Sequence, residues 1–182
     1  FIREGSRQSI SPMGLSSQGY NGHIFWDTEL WMYPSLLALQ PEMAKSCLDY
    51  RSDRLQKAKL KAFIYGYDGA MYPWESDDTG EEATPTSASM GVFEQHITAD
   101  VSIAFWNYYT LTQDKKWLRE EWKVIKETAD FWISRVAKNT DGSYSIFNVV
   151  GADEYALNVD DNAFTNAAAI ESLKNTIKAA GI

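Results

Sequence analysis

The sequence predicts an all-α fold in which helices alternate with long loops. Apolar residues recur at spacings of three and four in five segments, which is the period of one face of an α-helix. Two long segments without that period separate alternate helices, so we expect their loops to gather at one end of the array. No sheet-forming run divides the helices. This pattern is typical of an α-solenoid or an α/α-toroid, and either would leave open helix faces at the ends of the chain.

The first two predicted helices follow a turn-rich opening segment. Asp27 or Thr28 suits the N-cap of a helix that runs to about Leu39. Pro41 then opens a second helix at its first turn. Arg51 interrupts the apolar face of this helix, and it is either a side chain that snorkels to the helix edge or a buried guanidinium paired with a loop carboxylate. The face comprises Ala44, Leu48, Arg51, Leu55, Ala58 and Ala62.

Two long insertions follow. Residues 65–93 have no helical period, and a loop of this length inside a compact domain is usually functional or disordered. The run 71–76 within it is too apolar for a disordered linker. In the second insertion, residues 138–162, the turn Asp141-Gly142 begins a short strand or β-hairpin near 144–150.

Three further helices surround these insertions. The third covers residues 94–112, and the fourth begins after a Thr-Gln-Asp turn. The fifth runs from about Ala163 to Ala180, with Asp161 or Asn162 as its N-cap.

The composition excludes several kinds of partner. The chain has 182 residues, of which 45% are hydrophobic, so it can bury a core. Its net charge is −8 and no basic stripe is present, which argues against nucleic acid and anionic membranes as partners. No apolar run is long enough to predict a membrane span. No leader is recognised, but the chain begins at Phe1 rather than Met, so the localisation is unknown.

The segment 151–155 (Gly-Ala-Asp-Glu-Tyr) is the first candidate for chemistry. It places two adjacent carboxylates and a tyrosine in a polar loop. A neighbouring carboxylate and partial burial would both raise the pKa of Glu154, which suits a general acid that protonates a leaving oxygen. The alternative is an ordinary surface turn, because this triplet is a weak signal by itself.

Two tryptophan–acid dipeptides are the second candidate. Trp26-Asp27 and Trp74-Glu75 could each stack an indole ring on a sugar while the carboxylate accepts hydrogen bonds from hydroxyl groups. For Trp26-Asp27 the alternative is a core tryptophan followed by an N-cap. Trp74 lies in a loop without a helical core face, which favours function.

The histidines and the remaining acids give weaker signals. His96, at the start of the third helix, is either a structural hydrogen-bonding residue or a pocket residue, and for His23 the structural role is favoured. The two histidines lack metal-ligand spacing. The acidic run 77–82 matches no EF-hand loop and is interpreted as a solvated face. The sequence therefore predicts no metal and no cofactor.

Five motifs occur in order over nearly the whole chain, and together they resemble glycoside hydrolase family 65. That family contains maltose, trehalose and kojibiose phosphorylases, acid trehalases, and a glucosidase acting on glucosylgalactosyl-hydroxylysine. The motifs are Gly19-Tyr-Asn-Gly-His-Ile-Phe-Trp-Asp-Thr-Glu29, Gly69-Ala-Met-Tyr-Pro-Trp-Glu-Ser76, Glu94-Gln-His-Ile97, Gly151-Ala-Asp-Glu-Tyr155 and Val159-Asp-Asp-Asn-Ala-Phe-Thr-Asn166.

The resemblance implies a partial (α/α)6 barrel, with residues 1–182 as roughly the first half of a single catalytic domain. It implies an inverting mechanism on an α-glucoside, with Glu154 as the catalytic acid. It also implies that the substrate-binding residues are Trp26, Asp27, Trp74, Glu75, His96 and Tyr155. The family pattern Gly-Pro-Asp-Glu-Tyr-His is altered, since Ala152 replaces the proline and Ala156 the histidine. The run 13–17 is more similar to the hydrolase branch than to the phosphorylases.

The expected protein is therefore an inverting glycoside hydrolase whose partner is a small carbohydrate. The catalytic base is expected outside this chain, so the isolated chain needs the remainder of its catalytic domain and should be inactive alone. One alternative is a disaccharide phosphorylase that uses inorganic phosphate as co-substrate. An alternative of another class is a non-catalytic sugar-binding helical module. A homodimer is an open alternative for the assembly.

Overall fold

The computed structural model describes residues 2–182 and is built mainly from helices, with one small hairpin. The helices are α1 (Tyr33–Leu39), α2 (Pro41–Asp53), α3 (Leu55–Ile64), α4 (Met90–Phe93), α5 (Ile97–Thr112), α6 (Lys115–Arg135) and α7 (Ala163–Ala180). The hairpin pairs β1 (Ala137–Lys138) with β2 (Tyr144–Ser145). The all-α prediction is confirmed, and the architecture is consistent with a partial (α/α)6 fold.

The second half of the chain folds as its periodicity predicts. Helices α5, α6 and α7 all contact one another. Asp114 accepts a hydrogen bond from the Trp117 amide at 3.0 Å and caps α6, and Asn162 caps α7 through the Thr165 amide at 3.0 Å. The apolar residues of α5 and α6 supply much of the main core, and α3, α6 and α7 share a second cluster.

The first half departs from the prediction at two places. Residues Thr28–Met32 form a π-helical turn before α1, and the Asp27 side chain makes no capping hydrogen bond. The predicted second helix is two helices separated at Arg54. The Arg54 guanidinium donates to the carbonyl oxygens of Tyr50 and Asp78, and this tertiary contact accompanies the break.

Arg51 is fully buried, so its snorkelling interpretation is wrong. Its Nε and Nη2 atoms donate to the Glu29 carboxylate at 2.7 and 3.0 Å, and Nη2 also approaches the Phe25 carbonyl at 3.4 Å. Glu29 belongs to the π-helical turn. The ion pair therefore holds the backbone that follows Trp26 and Asp27 against α2.

The two long insertions are held by isolated β-bridges. Only residues 144–145 of the predicted 144–150 strand pair with β1, in the register Ala137 to Ser145. Further along, Glu94 bridges Val150, and Val149 bridges Val159. These bridges bring the insertions to the N-terminal side of α5 and α7. No helix within residues 2–182 combines the length and apolar character needed to cross a bilayer.

Candidate active site

The two tryptophan–acid dipeptides are joined by one antiparallel bridge. The Ile24 amide donates to the Ser76 carbonyl at 2.9 Å, and the Ser76 amide donates to the Ile24 carbonyl at 2.8 Å. Trp26 comes two residues after this pair and Trp74 two residues before it. The Phe25 ring contacts Trp74 edge to face, with 5.0 Å between ring centroids. The dipeptides, about fifty residues apart in the chain, are thus neighbours in the fold.

Trp26 is half-buried and packs against the residues that open α5 and α7. Its ring is perpendicular to His96 at 4.9 Å and lies 6.1 Å from Phe164. His96 and Phe164 also contact each other edge to face at 4.7 Å. These contacts fix the plane of the indole, which is the property that a sugar-stacking ring requires.

His96 is fully buried between two carboxylates. Its Nδ1 atom is 2.7 Å from Asp100 and its Nε2 atom is 2.9 Å from Glu94. Burial lowers the pKa of His96, but Asp100 and Glu94 raise it more, to about 9. The imidazole is therefore charged at neutral pH, and neither nitrogen is left to bind a sugar in this arrangement.

Only one of the two carboxylate oxygens of Glu94 has a hydrogen-bond partner. Oε1 contacts His96, whereas Oε2 is buried without a hydrogen-bond partner. The buried Trp74 indole N–H lies close enough to the Glu94 and Glu154 carboxyls to lower the pKa of both, although it does not reach hydrogen-bond geometry with either. Burial raises the pKa of Glu94, and the nearby charge of Glu154 raises it further, although His96 opposes both effects. Buried polar atoms without partners are rare in folded proteins, so Glu94 Oε2 and the Trp74 indole N–H mark a place where a further polar group, such as an ordered water, completes the hydrogen bonding.

The loop that carries Glu154 is closed by hydrogen bonds at its base. The amides and carbonyls of Val149 and Val159 bond each other at 3.0 and 2.9 Å, and the Val150 amide donates to the Phe93 carbonyl at 3.0 Å. At Gly151 a Cβ atom would lie 2.5 Å from the Asn162 side chain, so any larger residue would require Asn162 or the loop to shift. These backbone hydrogen bonds hold Glu154 near Trp74 and Asp27.

Glu154 is half-buried and its carboxyl has a raised pKa. Burial is the main cause, and the nearby Asp27 carboxylate raises the pKa further. The Trp74 indole N–H and the His96 charge lower it in part. The electrostatic environment thus favours the protonated form that a general acid needs.

Hydrogen bonds hold both the side chain and the backbone of Glu75. Its Oε1 atom is 2.7 Å from His23 Nδ1, and the carboxylate is buried. The amides of Trp74 and Glu75 donate to Glu82, at 3.1 and 3.0 Å. The sequence did not indicate a role for Glu82, because that role depends on its hydrogen bonds to the Trp74 and Glu75 amides in the folded loop.

Most of the predicted site residues come together. Trp26, Asp27, Trp74, His96 and Glu154 form one cluster through the contacts above, and Glu75 adjoins it. Tyr155 does not join them, since its side chain is 98% exposed.

Glu94, Asp100 and Phe164 belong to the cluster but were not assigned roles from the sequence. The i,i+4 spacing of His96 and Asp100 on a helix is the signal that would have indicated their pairing.

Within residues 2–182 no group of three His, Cys, Asp or Glu side chains is arranged to hold a metal ion.

A mainly helical scaffold here presents two indole rings and several carboxylates around one glutamate with a raised pKa, and these are the kinds of group that carbohydrate-active enzymes use. The family model described as "Glycosyl hydrolase family 65 central catalytic domain" matches residues 1–181, and the chain belongs to this family.

Similar proteins include both hydrolases and phosphorylases. A kojibiose hydrolase from Flavobacterium johnsoniae is 57% identical over 183 residues, covering 100% of this chain and 27% of the relative. A protein-glucosylgalactosylhydroxylysine glucosidase from Dictyostelium discoideum is 46% identical, covering 92% of this chain and 24% of that protein. A solved structure assigned as a kojibiose phosphorylase from the human microbiome superposes with a TM-score of 0.86 at 29% identity, covering 94% of this chain and 25% of the other. The chain therefore spans about a quarter of the length of these proteins.

Proposed function

We propose that this chain is part of an inverting α-glucoside hydrolase in which Glu154 is the general acid. The observation that carries the proposal is the position of Glu154, half-buried beside Trp74 and Asp27 with a raised pKa. The substrate class is a disaccharide or a glucosyl conjugate. Kojibiose is the first substrate to test, because the 57% identical relative is named a kojibiose hydrolase.

In the proposed reaction the Glu154 carboxyl gives its proton to the glycosidic oxygen as the bond to the anomeric carbon breaks. A water molecule attacks that carbon from the opposite face, and a base takes the proton of the water. Inverting enzymes hold the two carboxyl groups roughly 6.5–9.5 Å apart to admit the water. We place this base in a part of the protein outside residues 1–182, and we assign Asp27 and Glu75 to sugar hydroxyl groups.

The surrounding residues divide into sugar ligands and supports. Trp26 and Trp74 provide ring faces for the glucosyl unit. A contact between Tyr155 and the leaving group stays a prediction, since Tyr155 is exposed and lies apart from the other site residues. His96, whose nitrogens are both bonded, acts on the substrate indirectly. It packs against Trp26 and hydrogen-bonds Glu94, so it supports the indole ring and the carboxylate that lie beneath the sugar site.

We further propose that residues 1–182 form roughly the first half of one (α/α)6 catalytic domain. Apolar side chains such as Ile133 on α6 and Ile170 and Ile177 on α7 are exposed, and they would pack against further helices. The isolated chain should therefore be inactive, and activity belongs to the full-length protein.

A phosphorylase is the second candidate function, favoured by the structural similarity to a protein assigned that activity. There inorganic phosphate would replace the attacking water as co-substrate. Incubating the full-length protein with kojibiose, with and without phosphate, separates the two. Glucose release that is independent of phosphate supports the hydrolase, and phosphate-dependent formation of β-glucose 1-phosphate overturns it.

The role of Glu154 is tested by Glu154→Gln, with the exposed neighbour Asp153→Asn as its control. We expect Glu154→Gln to lower kcat by roughly 10²–10⁴-fold while glucose binding is kept, since a general acid contributes about that factor. Asp153→Asn keeps the oxygen that accepts from the Tyr155 amide and should retain activity. Unchanged turnover in Glu154→Gln would overturn the assignment of Glu154 as the acid. A full-length protein that binds glucose but does not cleave kojibiose would instead favour a non-catalytic sugar-binding module.

A further inference from the structure

The Glu82 carboxylate binds the backbone of Trp74 and Glu75 directly. Its Oε2 atom accepts from the Trp74 amide at 3.1 Å, and its Oε1 atom accepts from the Glu75 amide at 3.0 Å. Oε1 also accepts from the Thr84 hydroxyl at 2.6 Å. One carboxylate therefore accepts hydrogen bonds from the two backbone amides of a dipeptide that faces the candidate sugar site.

Glu82 is in turn fixed to α3 by Lys61. Lys61 forms an ion pair with Oε2 of Glu82, and the side chains of the two residues are only 9% and 20% exposed. Burial limits the movement of both groups and weakens screening by salt. The backbone of Trp74 and Glu75 is thus connected through Glu82 to a helix of the scaffold.

The neighbouring ion pair on the same helix and loop has no such connection. Lys57 and Glu81 also form an ion pair, but their side chains are 41% and 59% exposed. Neither the Glu81 carboxylate nor the Lys57 ammonium contacts the backbone of residues 74–75. The chain therefore contains a matched control pair of the same chemistry, one helical turn away.

We propose that Glu82, held by Lys61, is a positioning residue that sets the orientation of Trp74 and Glu75 toward the sugar. The inference rests on the proposed function, because it takes Trp74 and Glu75 as sugar ligands. Without Glu82, two partly buried amides lose their acceptor, and the loop must shift to find others. A shift of the ring and carboxylate by a fraction of an ångström would weaken sugar binding without removing any group that touches the sugar.

The test compares Glu82→Gln with Glu81→Gln in the full-length protein. Glucose binding is measured by calorimetry, and kcat and KM are measured with kojibiose. Glutamine keeps one acceptor oxygen where Glu82 uses two, and its NH2 group would face the other amide and Lys61. We therefore expect Glu82→Gln to weaken glucose binding and to reduce kcat/KM by about tenfold to 100-fold, in line with the effect of small misplacements in a site. Glu81→Gln should stay close to the unmodified protein because an exposed pair contributes little.

A double variant keeps the test valid if Glu82→Gln folds poorly. Lys61→Met with Glu82→Met replaces a buried ion pair by apolar side chains of similar volume, which proteins often tolerate. The two amides still lack their acceptor, so glucose binding should remain weak although the thermal unfolding midpoint recovers. Normal glucose binding in the double variant would overturn the positioning role.

Glu75→Gln separates this inference from the proposed function. Unchanged glucose binding in Glu75→Gln would overturn the assignment of the sugar site itself. Weakened binding in Glu75→Gln together with normal binding in Glu82→Gln would overturn the positioning role alone.

Discussion

Asp27 and Glu154 are electrostatically linked acids: burial raises the pKa of Glu154, and the nearby negative charge of Asp27 raises it further. The linkage joins Asp27, which precedes the π-helical turn, to Glu154 in the second insertion, whose loop is closed by the Val149–Val159 bridge. Because a general acid must be protonated, the raised pKa extends activity toward higher pH.

Replacing Asp27 with Asn should move the alkaline limb of the pH profile to lower pH. Loss of the negative charge favours ionised Glu154, so the pKa of Glu154 falls and the active protonated form is lost earlier as pH rises. The measurement is kcat/KM against pH for the full-length protein. Asp27→Asn should also lose activity at every pH through its lost hydroxyl contacts, but an unmoved limb would contradict the linkage.

The buried His96 should make stability depend on pH. Its pKa is about 9 in the folded protein. In the unfolded chain it returns to about 6.5. A raised folded pKa means that the stabilisation is fully present below about pH 6.5 and is lost as pH rises through about 9. Thermal unfolding midpoints of the full-length protein and of His96→Gln should therefore differ most at about pH 6 and below, and converge toward pH 9.5. A constant difference over this range would show that His96 is not charged in the fold.

Arg51→Met should be strongly destabilising because it leaves Glu29 charged and buried without a partner. Breaking a buried ion pair in this way costs about 3–5 kcal/mol. The control is Arg7→Ala, which removes a mainly exposed pair with Asp53 and should cost no more than about 1 kcal/mol. Urea denaturation measures both changes. Combining Arg51→Met with Glu29→Met should recover most of the loss, and failure to recover would place the role of Arg51 in its contact with Phe25 instead.

Gly151→Ala should lower activity although it changes no charged or aromatic group. Its methyl group would lie 2.5 Å from the Asn162 side chain, so either the Glu154 loop or the cap of α7 must move. Loss of that cap alone would cost about 0.5–2 kcal/mol. Gly181→Ala is the control, since its nearest neighbour would be the Lys178 carbonyl at 3.5 Å. Equal kcat values for the two variants would show that the loop tolerates the methyl group.

The sequence predicts helices well where the signal is local. The apolar periods of α5, α6 and α7 and the Asn162 cap depend on neighbouring residues, and they appear as expected. The π-helical turn and the break at Arg54 were not predictable in this way. They coincide with contacts from Glu29 to Arg51 and from Arg54 to Asp78, which join separate parts of the chain.

The site residues also divide into those that the local sequence indicates and those whose role depends on the fold. Its tryptophans and Glu154 could be chosen from residue type and family resemblance. The pairing of His96 with Glu94 and Asp100, and the support of Trp74 by Glu82, depend on burial and on partners that only the fold supplies. Acidic residues in a polar run look alike in sequence, yet Glu82 is mostly buried while Asp78 is 88% exposed.

The Val149–Val159 bridge has an evolutionary consequence. It closes the segment that carries Glu154 into a loop whose base is fixed by backbone hydrogen bonds and by the Asp160 and Asp161 side chains, which accept from the Asn148 and Ile146 amides. Ala152 and Ala156, where the chain differs from its family pattern, both lie inside this segment. Side chains within the segment can therefore be exchanged while its base and the helical framework stay in place, and in the proposed enzyme this would change the leaving group without moving Glu154.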